Sequence, residues 1–386
     1  MTNHKEISLL IGAGFSVEAG IPVRNQINDR LKSLTWDQFI IHSETTTHFL
    51  RGHDPNSHWQ NVHERKFVQA VIKFYNQSVS DKFDYEEFYD YCFKISHHAK
   101  DLDFDGFFKN YVKKTNFPID RQNALSIVIR TIDYLVNDLL TVDNTGIIDK
   151  YQSFMNLLNR LKEKFEVIHI FSLNHDLLIE NMFESSISFE YSDGFEIGGS
   201  RYYIKQKNRQ IRIKYFNDRF DKQVRLYKLH GSIDHYIYNF SDPYQMIKIP
   251  KDLYPLNLYK ETKIGEHWVE ENCWTLYEPI FLSGTTTKIL NYDKNPLHSS
   301  QFIHFKEALK KSKLLIAIGY GLQDEKINEF VRQELNNGLQ MLIVKRSKDP
   351  NEFFALKNVK HYGDGLGVSD LNFKNIESLI TAIYTD

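Results

Sequence analysis

Two kinds of residue in this chain are placed to do chemistry. The first is a glycine-rich turn, Gly12-Ala13-Gly14, with Ser16 two residues on and Gly20-Ile21-Pro22 after it. Glycines let backbone N–H groups approach a phosphate closely, and a helix start beyond the turn adds partial positive charge. The pattern therefore suits a pyrophosphate, with a purely structural tight turn as the plain alternative. Its spacing departs from Gly-x-Gly-x-x-Gly: Val17 stands where the third glycine would fall, and Gly20 comes later. The second kind is a set of polar side chains where apolar runs end. Asn174-His175-Asp176 follows one such run, and His230-Gly231 follows Val224-Arg-Leu-Tyr-Lys-Leu. An imidazole titrates in the range a general base needs, or else packs at the strand end. An amide can orient a water or a sugar hydroxyl. Asp176 can support either, or can simply cap the helix that follows.

Those residues need strands to carry them. Residues 7–11, 166–172, 224–229, 279–282, 313–318 and 340–344 are short apolar runs, most ending in small or polar residues and most followed by helical periodicity. Such alternation predicts an α/β fold, a doubly wound Rossmann-like parallel sheet with helices on both faces. An amphipathic helix is expected over 23–34, with Pro22 in its first turn. From Arg65 to Leu161 the spacing is helical, as in Phe67, Val71, Ile72 and Tyr75, which predicts an inserted helical module. The expected domains are 1–34 with 165–386, and 35–164. Asp84-Tyr-Glu-Glu-Phe88 reads as helix-start chemistry. The stretch from Trp36 to His63 reads as an exposed loop or lid; its five histidines are 5 or 6 residues apart, which gives no helical ligand pair. Alternation in 202–205 and 211–215 predicts a hairpin whose lysines and arginines form a solvated face. Residues 371–384 should close the chain as a helix.

Composition excludes several classes. With 48 basic and 50 acidic residues the net charge is −2, so no bulk charge for nucleic acid exists. The only cysteines, Cys92 and Cys273, make neither a disulfide framework nor a cysteine zinc site, and no metal is expected. No apolar stretch reaches the roughly 18 residues of a membrane helix, and the N-terminal residues run straight into the first strand; a cytoplasmic protein is expected. Aromatic residues make up 14% of the chain, and those of the helical region suit either a self-association surface or internal packing.

Taken together and in order, these strand ends resemble the sirtuin family. Gly12-Ala13-Gly14-Phe15-Ser16 and Gly20-Ile21-Pro22 match its opening motif, Asn174-His175-Asp176 its Asn-x-Asp, and His230-Gly231 its histidine–glycine pair. Gly319-Tyr320-Gly321 with Asp324 resembles a bacterial form of its late nucleotide-facing turn. The resemblance implies NAD+ held by Gly12, Ala13, Gly14, Ser16, Pro22, Arg24, Asn174, Asp176, Gly319, Tyr320 and Asp324, with Asn174, His230 and Asp176 catalytic. The departures are Leu173 in place of glutamine, Val23-Arg24-Asn25 in place of Asp-Phe-Arg, and no zinc cysteines. Leu-Asn-His-Asp and Lys-Leu-His-Gly-Ser resemble instead the sirtuin-like domains of bacterial anti-phage systems. That branch implies an NAD+ hydrolase that depletes the infected cell of NAD+, a homo-oligomer working beside a HerA-type ATPase. The alternatives are an NAD-dependent protein deacylase and a non-catalytic nucleotide-sensing subunit of an ATPase complex.

Overall fold

The computed structural model describes residues 5–42, 46–51, 62–96, 100–141, 148–186, 189–206, 209–238, 245–250, 253, 258–272, 296–345, 351–362, 376–378, 380–381 and 383. The described residues form two compact units, one drawn from 1–21, 142–281 and 292–386, the other from 22–141. Helix 152–164 thus groups with the sheet, and helix 24–32 with the helical unit, which shifts both boundaries from 35–164.

The first unit is built on seven strands: β1 (Glu6–Ile11), β4 (Val167–Ser172), β5 (Tyr191–Ser192), β10 (Val224–Lys228), β15 (Leu314–Ile318), β16 (Gln340–Val344) and β17 (Val359–Tyr362). They pair in parallel in the order β17-β16-β15-β1-β4-β10-β5. The doubly wound Rossmann-like sheet expected from the sequence is what the chain builds. Ile7, Ser8, Leu9, Leu10 and Ile11 are all 0% exposed. Neighbours along a strand point to opposite faces, so burial of all five means that both faces of β1 are covered. Helices α6 (Gln152–Lys164), α7 (Leu178–Ser185), α8 (Pro296–Lys311) and α9 (Glu325–Asn336) belong to this unit. Residues 376–378, 380–381 and 383 are helical, as expected of the closing segment; the strand expected at 279–282 lies outside the described residues.

Two small antiparallel sheets were legible in the sequence only at one hairpin. One has the order β11 (His235–Tyr238), β12 (Gln245–Lys248), β9 (Lys214–Phe216), β6 (Phe195–Glu196); the other β14 (His267–Asn272), β13 (Leu258–Ile264), β7 (Tyr202–Gln206), β8 (Arg209–Arg212). The expected hairpin is β7–β8. Two of its cations sit against carboxylates: Lys205 against Glu270, and Arg212 against Glu261 at 2.7 Å. Lys207 lies outside the described residues.

The second unit holds α1 (Arg24–Lys32), the hairpin β2 (Phe39–His42) and β3 (Thr46–Phe49), α2 (Val62–Ser78), α3 (Tyr85–Ser96), α4 (Leu102–Thr115) and α5 (Arg121–Leu140). The hairpin replaces part of the loop expected over 36–63. Phe39, Ile40, Ile41 and Phe49 are buried, and Arg65, 0% exposed, donates to the Phe39 carbonyl at 2.8 Å. An apolar β-branched run prefers such a half-buried ribbon to solvent. Helix α1 starts two residues after Pro22, which lies just before the cap at Val23. Asp84 heads α3 by accepting from the Glu86 N–H at 3.0 Å, and it also holds Arg24 through two hydrogen bonds of 2.8 Å.

Candidate active site

In a doubly wound sheet, ligands lie beyond the carboxyl ends of the strands where the winding reverses. Here that point is β1, with β15 to one side and β4 and β10 to the other. The ends are level, since Ile11 pairs with both Ser172 and Ile318, and Lys228 with Ser172. The glycine turn, Asn174-His175-Asp176, His230 and Gly319-Tyr320 therefore emerge from four adjacent strands at one edge.

The glycine turn is held by the turn after β15. Gly14 N–H donates to the Gly319 carbonyl at 2.9 Å, and Gly12 N–H to Ile318 at 3.0 Å. A Cβ on Gly12 would lie 2.6 Å from the Tyr320 Cα, and one on Gly14 2.9 Å from the Gly319 oxygen. Close approach of two backbones thus requires these glycines before any ligand is considered. Phe15 and Ser16 N–H groups close 3-10 turns onto Gly12 and Ala13. Among the described residues, the N–H groups of Ala13 and Val17, both exposed, donate to no protein acceptor. Both N–H groups are placed where a phosphate could accept from them. Tyr151, which no motif in the sequence singles out, grips the same turn: its hydroxyl donates to Phe15 O at 2.8 Å and accepts from Ala19 N–H at 3.1 Å.

Asn174 is 7% exposed, and its Nδ2 donates to the Gly12 carbonyl at 3.1 Å and to Ser16 Oγ at 2.9 Å. Ser16 in turn donates to Asp176 Oδ2 at 2.8 Å. The amide nitrogen faces the protein, which leaves Oδ1 as an acceptor for a water or a sugar hydroxyl. Both oxygens of Asp176 are engaged, Oδ1 by the Leu178 N–H at 3.0 Å. Asp176 therefore holds the turn and starts α7.

His230 Nε2 lies 2.9 Å from Asp324 Oδ2, with side chains 7% and 17% exposed. Asp324 Oδ1 accepts from Ile327 N–H at 3.1 Å and caps α9. The helix cap thus fixes the carboxylate that orients the imidazole. This pairing gives Asp324 a different partner from the nucleotide expected of it. Tyr320 is buried, and its hydroxyl donates to Asn328 Oδ1 at 2.8 Å; burial raises its pKa. The His175 ring lies beside that of His230, centroids 6.1 Å apart. Pro22 and Arg24 belong to the helical unit, and the Arg24 guanidinium is bidentate on Asp84 there. Among the described residues no group of three or more histidine, cysteine or acidic side chains is placed to hold a metal ion, and no helix is long and apolar enough to cross a membrane.

The arrangement defines an α/β protein whose polar strand ends meet at the switch point of its parallel sheet. The family described as SIR2-like domain matches residues 168–362, half of the chain, and the chain belongs to that family. No curated protein matches it. Solved structures similar to it include Sir2 with a p53 peptide and NAD+ (13% identity over 98% of this chain and 94% of that one, TM-score 0.38). Others are Sir2 bound to an acetylated peptide (14%, 98% and 94%, 0.38) and a Sir2 homologue in complex with NAD (12%, 98% and 91%, 0.40). At such identities and scores the likeness carries no inference about ligand or reaction.

Proposed function

We propose that this chain hydrolyses NAD+ at the nicotinamide–ribose bond, giving nicotinamide and ADP-ribose. The observation that carries the reading is the meeting, at one sheet edge, of an amide with an open acceptor oxygen and an imidazole held by a carboxylate. Membership in the SIR2-like family supports NAD+ as the substrate. Cleavage builds positive charge on the anomeric carbon while nicotinamide leaves with the bonding electrons. Ala13 and Val17 N–H groups hold the pyrophosphate, and Asn174 Oδ1 accepts from the attacking water or a ribose hydroxyl, which fixes geometry before the bond breaks. His230 takes the proton that water loses on forming the new C–O bond, a contribution of about 10²–10⁴-fold in rate. Ser16, Asp176 and Asp324 position these groups. The test is to incubate purified protein with NAD+, with and without an acyl-lysine peptide, and to measure nicotinamide. Release that needs no peptide and yields free ADP-ribose supports the hydrolase; release only with peptide would make the chain a deacylase, and none under any condition a binding subunit.

The same reading carries a role in anti-phage defence, with the chain as a metal-independent homo-oligomer beside a HerA-type ATPase. Its support is the resemblance of Leu173-Asn-His-Asp and Lys228-Leu-His-Gly-Ser to that branch. Light scattering with and without such an ATPase tests it, and a strictly monomeric chain with partner-independent turnover would refute it.

A further inference from the structure

Lys228 ends β10 two residues before His230, and its side chain is 2% exposed. A buried ammonium is expensive, and an apolar side chain of equal length usually serves stability as well or better. What the ammonium adds is a directed donor: Nζ donates to the backbone carbonyl of Asp176. Its charge is balanced by Glu180 on α7, whose Oε1 lies 3.5 Å away. Glu180 accepts no side-chain hydrogen bond that would hold it in place, so it acts through charge. Burial raises the Glu180 pKa against the opposing pull of Lys228 and Lys248. Lys248 on β12 continues the chain of charges, 4.0 Å from Glu180, 3.8 Å from Asp234 and 2.6 Å from Asp193. On the other side of the turn, His175 O accepts from the Ile233 N–H at 3.0 Å. The turn that carries Asn174 is thus tied to the His230 turn at one end and to Lys228 at the other.

We propose that Lys228 is a positioning residue whose ammonium clamps the Asp176 carbonyl and so holds the Asn174-His175-Asp176 turn in register with His230, Glu180 serving only as its counter-charge. The proposal rests on reading these two turns as one site, and its primary test makes no use of turnover. Lys228→Met and the charge-neutral pair Lys228→Met with Glu180→Gln separate the clamp from charge balance. Amide hydrogen exchange is followed at Leu178 and Ile233, whose N–H groups bond to Asp176 and His175, with Ile316 in β15 as the internal reference. In the double variant the melting temperature should recover to within a few degrees of the parent. The Leu178 and Ile233 amides should still exchange roughly tenfold faster, the loss of one charge-assisted hydrogen bond, and Lys228→Arg should partly restore them. Where the parent releases nicotinamide, the double variant should lose kcat with little change in KM. Unaltered exchange in the double variant, or recovery of exchange together with stability when Glu180 is neutralised, overturns the clamp. A parent that releases no nicotinamide defeats the hydrolase instead, and the exchange result then decides the clamp alone.

Discussion

Alanine at Gly319 is the most direct test of how the glycine turn is built. The residue has φ +64°, a region an L side chain enters at about 1–2 kcal/mol. A Cβ there would also stand 2.2 Å from the Phe15 nitrogen and 2.6 Å from the Gly14 carbonyl carbon. Both are backbone atoms tied into the turn, so neither can swing aside, and overpacking of this kind costs about 1–3 kcal/mol more. Gly20 supplies the control: its φ is +78°, yet no atom lies within 4 Å of its Cβ position. Gly319→Ala should therefore lose about 2–5 kcal/mol and Gly20→Ala about 1–2, the difference being the contact alone. Urea denaturation followed by circular dichroism reads both variants at matched pH and salt. Because the clash pushes Gly14 and Phe15, it also moves the Ala13 N–H, so NAD+ affinity should fall in Gly319→Ala more than in Gly20→Ala. Equal losses of stability in the two variants would refute the idea that backbone contact between these turns dictates the glycines.

Asn174→Ala removes one hydrogen bond each from the Gly12 carbonyl and Ser16 Oγ, which keep the Phe15 N–H and Asp176, so it should lower stability by about 0.5–1.5 kcal/mol as well as abolish nicotinamide release; unchanged melting would show that the amide does not hold the turn. His230→Ala should abolish release without that loss, and near-normal turnover in the soluble variant would remove it from the reaction. Asp324→Asn keeps the helix cap but not the charge, so turnover should fall while melting stays near the parent; Asp324→Ala should also lose about 1 kcal/mol of capping. Acid should destabilise the protein through His298, whose pKa burial and the nearby His230 push down to about 4. The unfolded chain takes up that proton near pH 6.5 and the folded chain resists it. The contribution is therefore complete above about 6.5 and lost as pH falls towards 4, about 3 kcal/mol in all. His298→Leu should flatten the dependence of the urea midpoint over that range, and an unchanged slope would exclude it.

The sequence alone determined the parallel sheet and which polar residues stand at its strand ends. Runs such as Leu9-Leu10-Ile11 and Val167 to Phe171, apolar but for His169, are those of strands covered on both faces, and glycine, asparagine or histidine beyond their ends marks where the chain leaves the sheet. Helices α2, α3 and α5 were equally legible, because their buried residues recur at helical spacing. Of the small antiparallel sheets only the β7–β8 hairpin was, since the other strands, two to seven residues long, leave too little alternation to register. Roles within the site were decided by tertiary structure. Which side-chain oxygen remains open depends on neighbours distant in sequence: Ser16 takes up Asp176 across 160 positions, and Asn174 turns its nitrogen to Gly12. The sequence marked Asp324 as a ligand residue, and only folding set it against His230; Arg24 meets Asp84 for the same reason. Spacing tells which residues reach an edge. It cannot tell which donors and acceptors are satisfied there, because that is a property of pairs brought together by the fold.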